Sequence, residues 1–178
     1  MDLFADQGIP VILLKGSALA AGVYSNPAHR SMCDLDFLVH RHDLDRVMAL
    51  LLARGYSRFA ELSDGFREAL DSEVCFLPGD ERGYTVEPHW HILNLPGDAG
   101  RAALDWFWSH TVAIEIDGRQ ARMFAPEAQV IHLAAHLVIH HQGRGLRSAY
   151  DIALLLSRHA EQMDWPLVTQ VATKFGLV

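Results

Sequence analysis

The sequence predicts an α+β fold: a mixed strand-and-helix module to about residue 124, followed by helices. Three observations carry this. Two short apolar runs, Val11–Leu14 and Cys33–Val39, flank a small-residue segment, Ala18–Val23. Asp117-Gly118 separates two alternating runs and is a strong hairpin signal. From Pro126 onward the apolar residues recur with helical period. At 178 residues, 50% hydrophobic and 21% charged, the chain has the balance of a globular protein rather than a disordered one.

Val11–Leu14 reads as a buried strand that ends at Lys15-Gly16-Ser17. Ser17–Val23 reads as a short helix whose N-terminus faces the Gly16 turn, with Ser17 as a natural N-cap. Cys33–Val39 is the second strand. Between Asp43 and Arg54, Leu44, Val47, Met48, Leu51 and Leu52 follow a helical period that Gly55 closes. A further short helix is expected over Glu61–Leu70. Glu73–Leu77 and Tyr84–Trp90 read as strands joined by the loop Pro78–Gly83. Asn94–Gly100 is a turn-rich break, and Arg101–Trp108 an aromatic helix. Val112–Ile116 and Gln120–Phe124 form the Asp117-Gly118 hairpin. Helices then cover Glu127–Gln142, Leu146–His159 and Trp165–Phe175.

The chemistry concentrates in residues 13–39. Successive strand side chains point to opposite faces, so Asp34 and Asp36 share one. Two carboxylates ~6–7 Å apart on one face repel each other, and a divalent cation removes that cost. Replacing either by its amide is therefore expected to leave the fold intact and slightly raise its metal-free stability. A glycine-serine turn opening a helix supplies free backbone N–H groups for an anion. One end of such a site suits Mg²⁺ and the other suits phosphate.

This arrangement resembles the nucleotidyltransferase superfamily that includes DNA polymerase beta. It has an apolar strand, Gly16-Ser17, then Asp34-Leu35-Asp36 on the next strand. Leu14-Lys15-Gly16 with Tyr24, Arg30 and the Asp pair is similar to a bacterial branch known simply as nucleotidyltransferase family proteins. His136, His140, Leu146 and the run Asp151–Leu156 resemble the segment that follows the core there. The resemblance implies a small, mixed, twisted sheet with helices on one face. It divides the chain into a nucleotidyltransferase-like core, 1–124, and a C-terminal helical region, 125–178. Members of that branch are longer at both ends, so the expectation is a shortened member or a fragment of one.

The resemblance also implies a two-metal Mg²⁺ site with an NTP as co-substrate. Asp34, Asp36 and a third acid would be the catalytic and metal-binding residues. Lys15, Gly16, Ser17 and Arg30 would hold the nucleotide's phosphates. The third acid is assigned to Glu87, in the acid-x-His-Trp motif Glu87-Pro88-His89-Trp90. Glu73 and Glu115 compete with it. Alternation puts His89 and His91 on the face of Glu87, and Pro88 argues for a strand edge or a strand end nearby. Eleven histidines are many for this length. His132, His136 and His140 share a helix face at a spacing that also suits zinc. The favoured reading puts His89, His136 and His140, with Asp151, on the acceptor side.

The expected activity is transfer of an NMP from an NTP to a hydroxyl-type acceptor, a small molecule or a protein, releasing pyrophosphate. Two alternatives stand beside it. One is a non-catalytic, antitoxin-like module that binds a nucleotide or a protein. The other is a metal-dependent phosphohydrolase built on the histidine-rich helix. A net charge of -7 disfavours extended nucleic acid as a partner. No apolar run is long enough to cross a bilayer. Cys33 and Cys75, in apolar runs, suggest buried reduced thiols and a cytoplasmic protein. A homo-oligomer or a protein partner stays open.

Overall fold

The computed structural model describes residues 2–59, 73–80, 83–93, 95, 97–139 and 142–178. In chain order these form α1 (Asp2–Ala5), β1 (Ile12–Leu13), α2 (Lys15–Gly22), β2 (Asp34–Leu38) and α3 (Leu44–Ala53). Then come β3 (Ser57–Arg58), β4 (Phe76–Leu77), β5 (Thr85–His89), α4 (Gly97–Ser109), β6 (Thr111–Ile116) and β7 (Arg119–Phe124). Three helices end the chain: α5 (Pro126–Ile139), α6 (Leu146–His159) and α7 (Trp165–Lys174). The helix expected over Glu61–Leu70 lies outside the described residues.

The strands form one mixed sheet in the order β3-β4-β5-β2-β1-β7-β6. β1 runs antiparallel to β2 and parallel to β7. β2 and β5 are parallel over five residue pairs, with Asp34 opposite Thr85 and Asp36 opposite Glu87. The fold is thus the mixed α/β architecture that the sequence predicts. Its core is aliphatic and aromatic, with Ile12, Leu14, Leu19, Leu38, Phe76 and Phe124 fully buried. Among the described residues, no helix is long and apolar enough to cross a membrane.

Local chemistry explains most boundaries. Asp117 and Gly118 both take positive φ, 50° and 75°, as a tight two-residue hairpin requires. Asp164 caps α7 by accepting from Leu167 N at 2.9 Å, and Pro166 sits in its first turn.

Four expectations are corrected. α4 begins at Gly97, inside the stretch read as a break. Ser17 is not a cap: it lies within α2, and its hydroxyl donates to Leu14 O at 2.8 Å. Cys33 is exposed rather than buried. β5 is an interior strand despite Pro88. The proline is tolerated because its carbonyl accepts from Val74 N at 3.2 Å, on the side away from β2. Its missing N–H therefore also faces that side, where Val74 and Cys75 lie outside any strand.

Gly100 marks a close approach. A Cβ there would collide with the backbone carbonyl of Leu95. Gly100→Ala is expected to destabilise the fold by about 1–3 kcal/mol, because backbone rather than a side-chain tip must move. Urea unfolding monitored by circular dichroism measures it.

Candidate active site

Asp36 is the centre of the site. Parallel pairing places Glu87 directly opposite it on the neighbouring strand, so the two carboxylates share a sheet face. Asp34 is on that face two residues earlier, half-buried. Asp36 itself is 3% exposed. Its Oδ1 accepts from Lys15 Nζ at 2.7 Å and meets His89 Nε2 at 2.8 Å. The other ring nitrogen of His89, Nδ1, faces Glu73 Oε2 at 3.0 Å.

Burial alone would raise the Asp36 pKa. The His89 hydrogen bond and the Lys15 charge outweigh it and hold the carboxyl at about 2. For Lys15, burial works against the charge, yet the contact with Asp36 leaves its pKa raised. Glu87 carries the opposite balance. Burial, then repulsion from Asp36 and Glu73, pushes it up to about 7. Burial and the nearby Glu87 carboxylate likewise push the Cys75 thiol up to about 11. The repulsion expected between Asp34 and Asp36 thus falls on Glu87, while Asp36 is compensated.

Lys15 opens α2 with φ 44°, in the left-handed region that a non-glycine residue rarely adopts. That conformation sits beside Gly16, where the first backbone N–H groups of α2 remain unpaired within the helix. A Cβ on Gly16 would press on Arg30 and Met32 at 3.4 Å.

Asp34, Asp36, Lys15, Gly16 and Arg30 line one cleft of about 480 Å³. Leu133 and His136 of α5 and Arg147, Ser148 and Asp151 of α6 form its other wall. Arg30 does not reach freely into this space. Its guanidinium pairs with Asp151 through Nε, at 3.0 and 3.1 Å, and through Nη2 at 3.0 Å. Tyr24 donates to Asp151 Oδ1 at 2.7 Å. Burial and this bond raise the Tyr24 hydroxyl to about 12. Asp151 is 2% exposed, so the triad is a buried tie between α6 and the segment before β2.

The helical histidines separate. His136 lines the cleft. His132 is buried against the edges of Phe107 and Phe124, and burial holds its pKa well below the usual histidine value. His140 lies outside the described residues. Among the described residues, the one cluster of three or more candidate metal ligands is Asp36, Glu87 and His89, not the histidines of α5. Of the competing acids, Glu115 is exposed on β6, at the far edge of the sheet from β5. Glu73, by contrast, joins the site through His89. Sequence reasoning placed His89 on the acceptor side, and the structure places it against Asp36. The signal was available: Glu87 and His89 alternate onto one face of β5.

One ligand atom each from Asp36, Glu87 and His89 lie within 4.8 Å of one another. The two acids at that separation fit a divalent cation, while the imidazole is already bonded to Asp36 and Glu73.

A mixed sheet thus sets clustered acids at the head of a short helix opened by Lys15 and Gly16. The chain belongs to the family described as uncharacterised nucleotidyltransferase, which it matches over residues 1–178. No curated protein matches it by sequence. Solved structures share the fold. The antibiotic-resistance factor ANT(2'')-Ia in solution aligns at TM-score 0.65 and 14% identity, covering 98% of this chain and 85% of that one. The same factor in complex with adenylyl-2''-tobramycin aligns at 0.64 and 16%, covering 98% and 91%. The lincomycin-bound lincosamide adenylyltransferase LnuA aligns at 0.58 and 16%, covering 86% and 90%.

Two measurements check this electrostatic picture. Asp151→Ala leaves Arg30 without its partner in a buried setting, so a stability loss of about 3–5 kcal/mol is expected in urea unfolding. Tyr24→Phe should cost about 1 kcal/mol. The second concerns Glu87. A carboxyl whose folded pKa is raised lends its stability below the unfolded value, near 4.5, and loses it as pH rises through about 7. Metal-free protein should therefore lose stability across that window. Glu87→Gln should flatten the slope and raise stability at pH 8 by about 1–3 kcal/mol, allowing for screening on its open side. Melting temperatures in EDTA between pH 5 and 8 give the answer. Asp36→Asn should instead lower stability above pH 4, because it strands Lys15.

Proposed function

We propose that the cleft transfers a nucleoside monophosphate from an NTP to a hydroxyl-bearing acceptor. The observation that carries this is the register of β2 and β5. It sets Asp36 against Glu87 on the face that also holds Asp34, beside the opening of α2. The acceptor oxygen attacks the α-phosphorus. An O–Pα bond forms, the Pα–O bond to the β-phosphate breaks, and pyrophosphate leaves. Glu87 takes the hydroxyl proton. The donor favoured is ATP, since the structural relatives named above are adenylyltransferases or carry an adenylyl product.

Each part of the chain has a role in this reading. Asp34, Asp36 and Glu87 hold the metal, and Mg²⁺ bound there would supply positive charge to the phosphate oxygens. Gly16 and Ser17 offer backbone N–H groups to the β- and γ-phosphates. Lys15 holds Asp36 in the metal-free state and is placed to reach a phosphate when a cation takes over that carboxylate. Arg30 acts indirectly, by fixing the wall through Asp151. Residues 1–124 form the catalytic core and 125–178 the region that walls the acceptor side. On that wall Asp151 is neutralised by Arg30, whereas Arg147 has no ion pair or hydrogen bond among the described residues. The uncompensated charge is positive, which favours a neutral or anionic acceptor over a polyamine.

Pyrophosphate release from Mg·ATP, with amine-bearing, neutral and carboxylate- or phosphate-bearing alcohols as acceptors, tests the proposal. Asp34→Asn and Asp36→Asn should each cut turnover more than about 10²-fold. Glu87→Gln should retain nucleotide binding and lose about 10²–10⁴-fold in turnover. Glu115→Gln should be silent. Loss of turnover in Glu115→Gln with retention in Glu87→Gln would put the third acid on the wrong strand.

A further inference from the structure

His89 and Glu73 form a string behind Asp36 that the transfer reaction does not itself require. Glu73 pairs with His89 across an isolated antiparallel bridge, which sets the two side chains together. The imidazole then runs from Glu73 Oε2, 3.0 Å from Nδ1, to Asp36 Oδ1, 2.8 Å from Nε2. Its backbone is fixed as well: His89 O accepts from Val39 N at 2.9 Å, just beyond the end of β2. The ring is 6% exposed and the Glu73 side chain 43%. Glu73 is therefore the outer, wetter end of a chain that leads inward to the carboxylate.

We propose that His89, braced by Glu73, is a positioning residue that aims Asp36 at the cation, and is neither a metal ligand nor an acceptor contact. This rests on the reading of the site as a cation-dependent transferase. Both ring nitrogens are already occupied by carboxylates, so ligation would require breaking the bond to Asp36. With 6% of its side chain exposed, His89 also offers little surface to a substrate. A carboxylate near a metal can rotate between one-oxygen and two-oxygen contact. Holding Oδ1 from the rear removes that freedom before the metal arrives. Lys15 contacts the same oxygen, but from the cleft side and with 20% of its side chain exposed. It can leave when a cation enters, while His89 stays enclosed. In this arrangement, the bond from His89 is the permanent one.

The probe is Mn²⁺, followed by electron paramagnetic resonance on the full chain, with circular dichroism confirming the fold. The wild-type pulsed spectrum should show no directly bonded nitrogen. His89→Ala should weaken Mn²⁺ binding about 10–100-fold. His89→Gln, whose amide can still donate toward Asp36, should recover most of the loss. Glu73→Gln should weaken binding less than His89→Ala and leave the nitrogen signal absent. A strong directly bonded nitrogen coupling in the wild type, or wild-type Mn²⁺ affinity in His89→Ala, overturns the proposal. If His89→Ala does not fold, the wild-type spectrum together with Glu73→Gln decides it: unchanged affinity in Glu73→Gln counts against it. Asp36→Asn separates the two levels. If it too leaves Mn²⁺ binding unchanged, the cation reading of the cleft fails. If it abolishes binding while His89→Ala does not, only the positioning role fails.

Discussion

The whole site depends on keeping one carboxylate ionised almost out of water. Asp36 is 3% exposed, and a charge that deep must be paired or give up its ionisation. Lys15 and His89 do the pairing, and each is placed by a different element. Lys15 comes from the turn between β1 and α2, and His89 from the end of β5. The parallel register of β2 on β5 and the left-handed turn at Lys15 therefore serve the same atom. The neighbouring Glu87 has no such partner. It sits in the same field and absorbs the repulsion, which is why the two acids titrate in opposite directions.

Much of this was legible in the sequence where the physics is local. Alternation put Asp34 and Asp36 on one face and Glu87 with His89 on another strand, and the coordinates agree. Asp117-Gly118 specified its own turn because this dipeptide readily takes positive φ at both residues, as a type I′ hairpin needs. The three final helices followed from periodicity. What could not be read is what depends on long-range pairing. Arg30 and Asp151 are 121 positions apart, and nothing in either neighbourhood announces the other. Arg30, expected at a phosphate, lines the cleft and also ties α6 through Asp151. Pro88 misled for a related reason. Proline excludes a hydrogen bond on one side only, and which side is open depends on where β4 stops. His132 and His136 look equivalent by spacing, yet one packs against Phe107 and Phe124 while the other faces the cleft.

Lys15 shows how strain and function meet. A left-handed backbone at a residue with a Cβ costs about 1 kcal/mol or more. Glycine would remove that cost, and Gly16 is the very next residue. The sequence nonetheless keeps a lysine there. Its Nζ lies 2.7 Å from Asp36, and the contact offsets the backbone cost. Conformation and charge are coupled at one position, so relieving either changes the other.

The two ion-paired cations of the cleft, Arg30 and Lys15, also divide their work by chemical type. Arg30 presents a planar fork and meets Asp151 through several nitrogens at once, with 11% of its side chain exposed. Such a pair has high geometric definition and suits a permanent tie. Lys15 offers a single ammonium on a flexible stem to one oxygen, with more water nearby. A point contact of this kind exchanges readily for another cation or for a phosphate oxygen. The arginine thus belongs to the frame that joins α6 to the segment before β2, and the lysine forms the more exposed, exchangeable contact. Swapping the two would put the exchangeable contact at the wall and the rigid one at the reacting centre. The wall would then be loose, and any cation approaching Asp36 would compete with a bidentate partner for that carboxylate.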